Sequence, residues 1–293
     1  MPKDRSLARA LGLAVALVWG LSFLSIKAAV AEVPPMTLGL ARFAVALLVL
    51  PLIALATRSD LRVRAKDLPV LALGGLIGYT LYFLGENNGV LRLSASESSI
   101  LIGTIPVATM LAERLFLRTR LALRAYLGAL LSLAGVALIV AKTGSGTSSA
   151  AGWLYMGLAA LCWVAYAFVT RRTTGTYNQL AVTIWQTLFG FIGFIPFALA
   201  ESGQWRAPSG AAWLNILYLG VFCSALGYWF YVTALDILGP GASSVFINLI
   251  PVVSVVAAFF VMGDRLTPGQ WIGAAVAIAG VWLATAPGKP KRE

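Results

Sequence analysis

The sequence predicts an all-α integral membrane protein: ten transmembrane helices built as two inverted five-helix repeats, with the N and C termini on the cytoplasmic side. Composition is the first of three observations behind this reading. Of 293 residues, 59% are hydrophobic and only 11% charged, with a mean hydropathy of +0.86, which is more apolar surface than one soluble core can hide. The second is a repeat. The stretch from Ser98 to Ala141 returns as Ser243 to Ala286 at a constant offset of 145 residues, and the ungapped copies share 16 of 44 residues. Pro106/Pro251, Gly128/Gly273 and Gly135/Gly280 stay in register, which chance likeness between apolar segments does not produce. The third is the placement of the 22 Lys and Arg: 16 fall in one set of connections and termini, five in the other, and Arg42 lies inside a helix. Short connections rich in Lys and Arg stay in the cytoplasm, so both termini are assigned there.

Taking about 20 apolar residues per crossing, the helices fall near 8–31, 36–57, 68–90, 95–116, 121–141, 150–171, 178–200, 211–235, 240–262 and 267–286. The first follows a basic head, and its apolar body is long enough to span, so it is expected to be an uncleaved helix rather than a signal peptide. Pro51 in the second helix has Pro196 as its partner in the seventh. Pro106 and Pro251 interrupt the fourth and ninth, each removing a backbone hydrogen bond; they are read either as hinges or as fixed kinks. Glycines spaced by seven in the fifth and tenth helices, Gly128, Gly135, Gly273 and Gly280, point to close helix packing within the chain or between protomers. The Gly/Ser-rich linker Thr143 to Ser149 separates residues 1–142 from 150–288, and a basic tail, 289–293, closes the chain. An odd number of helices per half turns the second copy over, hence the inversion.

Several classes of function are excluded on residue content. The net charge of +11 is spread in short runs between apolar segments rather than gathered as a nucleic-acid-binding patch. There is no His, and Cys162 and Cys223 sit singly in apolar segments without a CxxC spacing, so neither a metal site, a cofactor nor a disulfide framework is expected. A phosphate-binding GxxxxGK[ST] loop is absent. Without His or a close carboxylate pair in a cytoplasmic loop, a membrane enzyme acting on lipid-linked substrates is a remote alternative.

The mid-span side chains that are not aliphatic are mainly aromatic, hydroxyl or amide: Trp19, Ser22, Tyr79, Tyr82, Phe83, Trp163, Tyr166, Trp185, Gln186, Tyr228, Tyr231, Ser244 and Asn248; of these all but Tyr166, Gln186 and Tyr231 are taken as candidates to meet a solute. Trp19 and Trp163 occupy matching places in VWGLSFLSIK and CWVAYAFVTR, away from the interfaces where Trp usually collects. Tyr79, Phe83 and Glu86, at steps of four and three, share a helical face. Glu86 lies in the polar run GENNG; it either faces a cavity or is wetted at the outer interface, the latter being the plainer expectation. None of the 11 carboxylates falls near the middle of a span. Arg42, set opposite Gln186 in the repeat, is expected to snorkel to the outer surface rather than meet a substrate carboxylate.

The first-helix WGLSF, the ARFAVA of the second helix, the SSxxxxxxP of helices four and nine and the closing GDRLTPGQWIGAAVAIAG resemble the drug/metabolite transporter superfamily, EamA type, over nearly the whole chain. The acidic residue before the last helix of each half is present as Asp264 but is Thr119 in the first half, a departure from the paired pattern. The resemblance implies a carrier in the bacterial inner membrane that exports small molecules, with bacterial exporters of aromatic and other amino acids as the nearest likeness. Its partners would be the substrate and the lipid bilayer, with no nucleic acid and a monomeric state. With no acid at mid-membrane, facilitated diffusion is expected; proton-coupled efflux of drugs or metabolites through Glu86 is the alternative.

Overall fold

A computed structural model of the chain describes residues 4–93, 95–118, 121–140, 149–262 and 267–285. The Thr119/Asp264 comparison, Lys142, Arg265, the linker up to Ser148 and the basic tail lie outside them, as do the side chains of Lys27, Glu97 and Ser98. Among the described residues the chain is a helical bundle with no strand longer than an isolated bridge between Thr174 and Tyr177.

The elements are α1 (Arg5–Val30), α2 (Pro35–Ala56), α3 (Leu68–Gly75), α4 (Tyr82–Val90), α5 (Ala95–Phe116), α6 (Leu123–Val140), α7 (Ala150–Arg171), α8 (Gln179–Ala200), α9 (Gly210–Tyr218), α10 (Gly227–Leu238), α11 (Pro240–Ser244), α12 (Ile250–Met262) and α13 (Pro268–Thr285). Two joins are π-helical, Leu76–Leu81 between α3 and α4 and Leu219–Leu226 between α9 and α10. Among the described residues, six segments are long and apolar enough to cross a membrane: Arg5–Ser22, Pro35–Ala56, Ala65–Val90, Ala150–Arg171, Gln179–Ala200 and Gly210–Leu238.

Helix ends follow their local chemistry. Asp4 caps α1 by accepting from the backbone N–H of Ser6 and Leu7, and Asn178 and Ser209 do the same for α8 and α9. Pro35 begins α2, where its missing N–H is no loss. The next two N–H groups of α2, those of Met36 and Thr37, are taken by the carboxylate of Glu201 at 3.1 and 2.8 Å, a distant acid placed on the positive end of the helix dipole. At the other extreme, α10 ends on Gly239 at φ +86°, a left-handed turn that favours glycine and lets Pro240 start the next helix.

Packing follows the repeat. α6 lies antiparallel against α13, α2 against α8, while α1 packs on α10 and α7 on α4. Shifting residues by about 145 maps the first two pairs onto themselves and exchanges the last two, as two equivalent halves require. Gly128 and Gly135 bring α6 onto the backbone of α13: a Cβ on Gly135 would stand 2.3 Å from the Ala277 nitrogen, and one on Gly128 2.4 Å from that of Ala284. The seven-residue glycine spacing therefore serves contact within the chain. Outward faces carry large apolar side chains; Leu52 and Leu55 of α2 are 65% and 78% exposed, beside Pro51, as a lipid-facing stripe should be.

Candidate functional site

The core is built of rings. Trp19 from α1 meets Trp163 from α7 edge-on with centroids 5.2 Å apart, Trp163 contacts Tyr82 at 5.0 Å, and Tyr79 stacks on Tyr228 at 4.2 Å. Above these rings, toward the end of the bundle that carries the α1–α2 turn, lies a cavity with about 490 Å³ of empty space, its mouth included. Trp19, Ser22, Tyr82, Phe83, Glu86, Trp163 and Tyr228 line it, joined by Arg42 and by isoleucines of α1, α5 and the α11–α12 segment.

The π turns hold two of these rings in place. Trp19 Nε1 donates to the carbonyl of Cys223 at 3.0 Å, and the Tyr228 hydroxyl donates to the carbonyl of Gly78 at 3.0 Å. Each acceptor sits inside a π turn, and the two are 145 positions apart. A π turn widens the helix and changes which N–H reaches each carbonyl, and here both turns present a carbonyl to a side chain of the cavity wall. Ser22 Oγ donates back to the Trp19 carbonyl at 2.7 Å.

Both charges in the wall are buried. Arg42 is 3% exposed and Glu86 7%. Arg42 Nε donates to Ser224 Oγ at 2.7 Å, and its guanidinium lies 4.7 Å from the centre of the Phe83 ring, within cation–π range. Glu86 accepts from the Tyr82 hydroxyl at 2.8 Å. The snorkelling expected of Arg42 is overturned: α2 turns the buried face that also carries Phe43, Ala46 and Leu50 inward, and the guanidinium points along it. Likewise Glu86 faces the cavity rather than the outer interface. Ser224 pairs Arg42 as Tyr79 neighbours Thr187 in the other half, so the counterpart of Arg42 is Thr187, not Gln186, whose amide instead donates to Thr170 at 2.9 Å.

Other expected residues lie elsewhere. Tyr79 is fully buried behind Tyr228; it sits inside the π turn Leu76–Leu81, which breaks the regular step linking it to Phe83 and Glu86 on one face. Trp185 is at the opposite end of the bundle, donating to the Leu61 carbonyl at 3.2 Å and stacking on Phe189. Ser244 bonds the Gly241 carbonyl within α11, and Asn248 donates to Ser132 Oγ of α6 at 2.6 Å; both are buried in helix contacts outside the cavity. α5 runs on through Pro106, whereas the second copy changes from a 3₁₀ segment, Val245–Leu249, to α-helix at Ile250, beside Pro251. Arg42 was legible as a charge inside an apolar span, but its direction was not; the isoleucines carried no signal distinguishing them from lipid-facing ones.

The family model for the EamA-like transporter family matches residues 7–141 and again 150–286. This chain belongs to the EamA-like transporter family. The transporter is 30% identical to a probable terminal-alkyne amino-acid exporter of Streptantibioticus cattleyicolor, over 91% of this chain and 89% of that one. It is 27% identical to the uncharacterized transporter YdfC of Bacillus subtilis, over 90% of this chain and 86% of that one. An uncharacterized transporter of Archaeoglobus fulgidus is also 27% identical, over 90% and 94%. A solved crystal structure 21% identical in sequence superposes with a TM-score of 0.81 over 96% of this transporter and 97% of that chain, the same fold.

Proposed function

We propose that this EamA-like transporter exports amino acids, aromatic and other small ones, across the bacterial inner membrane by alternating access, driven by the substrate gradient alone. The observation that carries this is a cavity walled from both matched stretches, Trp19, Tyr82 and Phe83 from the first and Trp163 and Tyr228 from the second. A shift of one half against the other then exposes the same site to either side. Ring faces and isoleucines suit a solute with an apolar or aromatic body, and a 30% identical relative is named an amino-acid exporter. The carrier crosses the membrane ten times as two inverted repeats, residues 1–142 and 150–288, with both termini cytoplasmic; the exchange pattern of helix contacts supports the two equivalent halves, and the placement of Lys and Arg supports the orientation. Pro106 and Pro251 flank the segments that bend.

The test is release of labelled tryptophan, threonine and a lipophilic cation from liposomes holding the purified protein, with and without an imposed pH gradient. Amino-acid flux that ignores the pH gradient is expected. A second reading, proton-coupled efflux of lipophilic cations, draws on the burial of Glu86 in the cavity wall. Cation flux that requires the gradient and vanishes in Glu86→Gln would establish it instead.

A further inference from the structure

We infer that Arg42 and Glu86 form a two-point clamp for a zwitterion: Arg42 takes the substrate carboxylate and Glu86 its ammonium group, so both must be free for tight binding. This rests on the amino-acid reading above and narrows it. Both side chains line one cavity, yet no ion pair within 4.0 Å joins them, unlike Arg171 and Asp236 at the other end of the bundle. Arg42 spends one of its five N–H donors, on Ser224. Glu86 receives a hydrogen bond at one oxygen, from Tyr82. Two charges of opposite sign that line one cavity in a membrane protein, each with hydrogen-bonding capacity beyond its one bond inside the protein, are well matched by a ligand carrying the two complementary charges. The Phe83 ring lies 4.7 Å from the guanidinium, and with Nε on Ser224 the two terminal nitrogens remain to grip a carboxylate at two points.

The wall around the clamp sets the rest of the ligand. Trp19, Tyr82 and Trp163 line the same cavity as Glu86, and aromatic rings also attract an ammonium group. Ile26, Ile102, Ile105, Ile247 and Ile250 offer no polar group to the substrate side chain. A lipophilic cation without a carboxylate would leave Arg42 unmatched and face its charge. Thr187 and Tyr231 replace Arg42 and Glu86 at the equivalent positions of the second half, so the clamp occurs once.

The experiment compares tryptophan and leucine with their amides, which lack the carboxylate, and their N-acetyl derivatives, which lack the ammonium. Flux of the parent amino acids is measured in liposomes, and each compound's ligand-induced rise in melting temperature is measured on the detergent-purified protein. In the wild type the parent amino acids bind at least about tenfold tighter than either derivative, the loss of one charge-assisted contact. Arg42→Gln binds parent and amide alike while still rejecting the N-acetyl form; Glu86→Gln binds parent and N-acetyl form alike while still rejecting the amide. Arg42→Lys, which keeps the charge but not the fork, retains part of the preference and serves if Arg42→Gln does not fold. If the wild type carries amino acids but the variants lower all three affinities equally, the clamp is wrong and the transport reading stands. If the wild type moves no amino acid, both fall.

Discussion

Replacing Gly135 by Ala tests whether the α6–α13 seam is set by backbone contact. The added Cβ would lie 2.3 Å from the Ala277 nitrogen and 2.6 Å from the Gly273 carbonyl oxygen, against the 3.4 Å at which ordinary contact begins. Neither neighbour is a side-chain tip that can swing away, so the two helices must part by roughly 1 Å. Overpacking of this kind costs about 1–3 kcal/mol, offset by the roughly 0.5–1 kcal/mol that Ala gains over Gly inside a helix. The net expectation is a loss of up to about 2.5 kcal/mol, centred near about 1 kcal/mol. Gly157 in α7 is the control: a Cβ there meets nothing within 4 Å, so Gly157→Ala should gain up to about 1 kcal/mol. Equilibrium unfolding in mixed detergent micelles, read by circular dichroism and tryptophan fluorescence, separates the two. A Gly135→Ala variant as stable as the wild type, or one that tracks Gly157→Ala, would refute a seam set by backbone contact.

Two further outcomes are expected. The double change Pro106→Ala plus Pro251→Ala should slow amino-acid flux more than it changes ligand-induced melting shifts, since it stiffens segments beside Ile105 and Ile250 of the cavity wall without altering a charge; unchanged flux would remove the hinge. At the α1–α2 turn, the backbone N–H and hydroxyl of Ser209 donate to Glu32 at 2.8 Å each, holding that carboxyl below its usual range. A depressed folded-state value stabilises above the ordinary carboxylate range and loses that contribution as pH falls through the lowered value. Glu32→Gln should therefore melt below the wild type at pH 7, with the gap closing at pH below about 4; a gap constant with pH would rule out the linkage.

The sequence by itself determined the class of molecule and its internal repetition, because both rest on quantities that do not depend on direction. Apolar length dictates which segments leave water, and a fixed offset of 145 residues carries Pro106 to Pro251 and Gly135 to Gly280 whatever the packing. Trp19 and Trp163, 144 residues apart, could be paired through the likeness of the segments that hold them, one position off that register. What only the tertiary structure decided was rotation and register. An apolar helix in a membrane has no polar face to say which side is inward, so the snorkelling Arg42 and the inward Arg42 read alike until Ser224 and Phe83 are placed beside it. The π turn at Leu76–Leu81 carries no composition of its own, yet it separates Tyr79 from Phe83 and Glu86 and offers the Gly78 carbonyl to Tyr228. Trp185, Ser244 and Asn248 had the right chemistry for a site but were claimed by contacts with Leu61, Gly241 and Ser132. Those partners lie on other turns and other helices, and the chain names them only once it has folded.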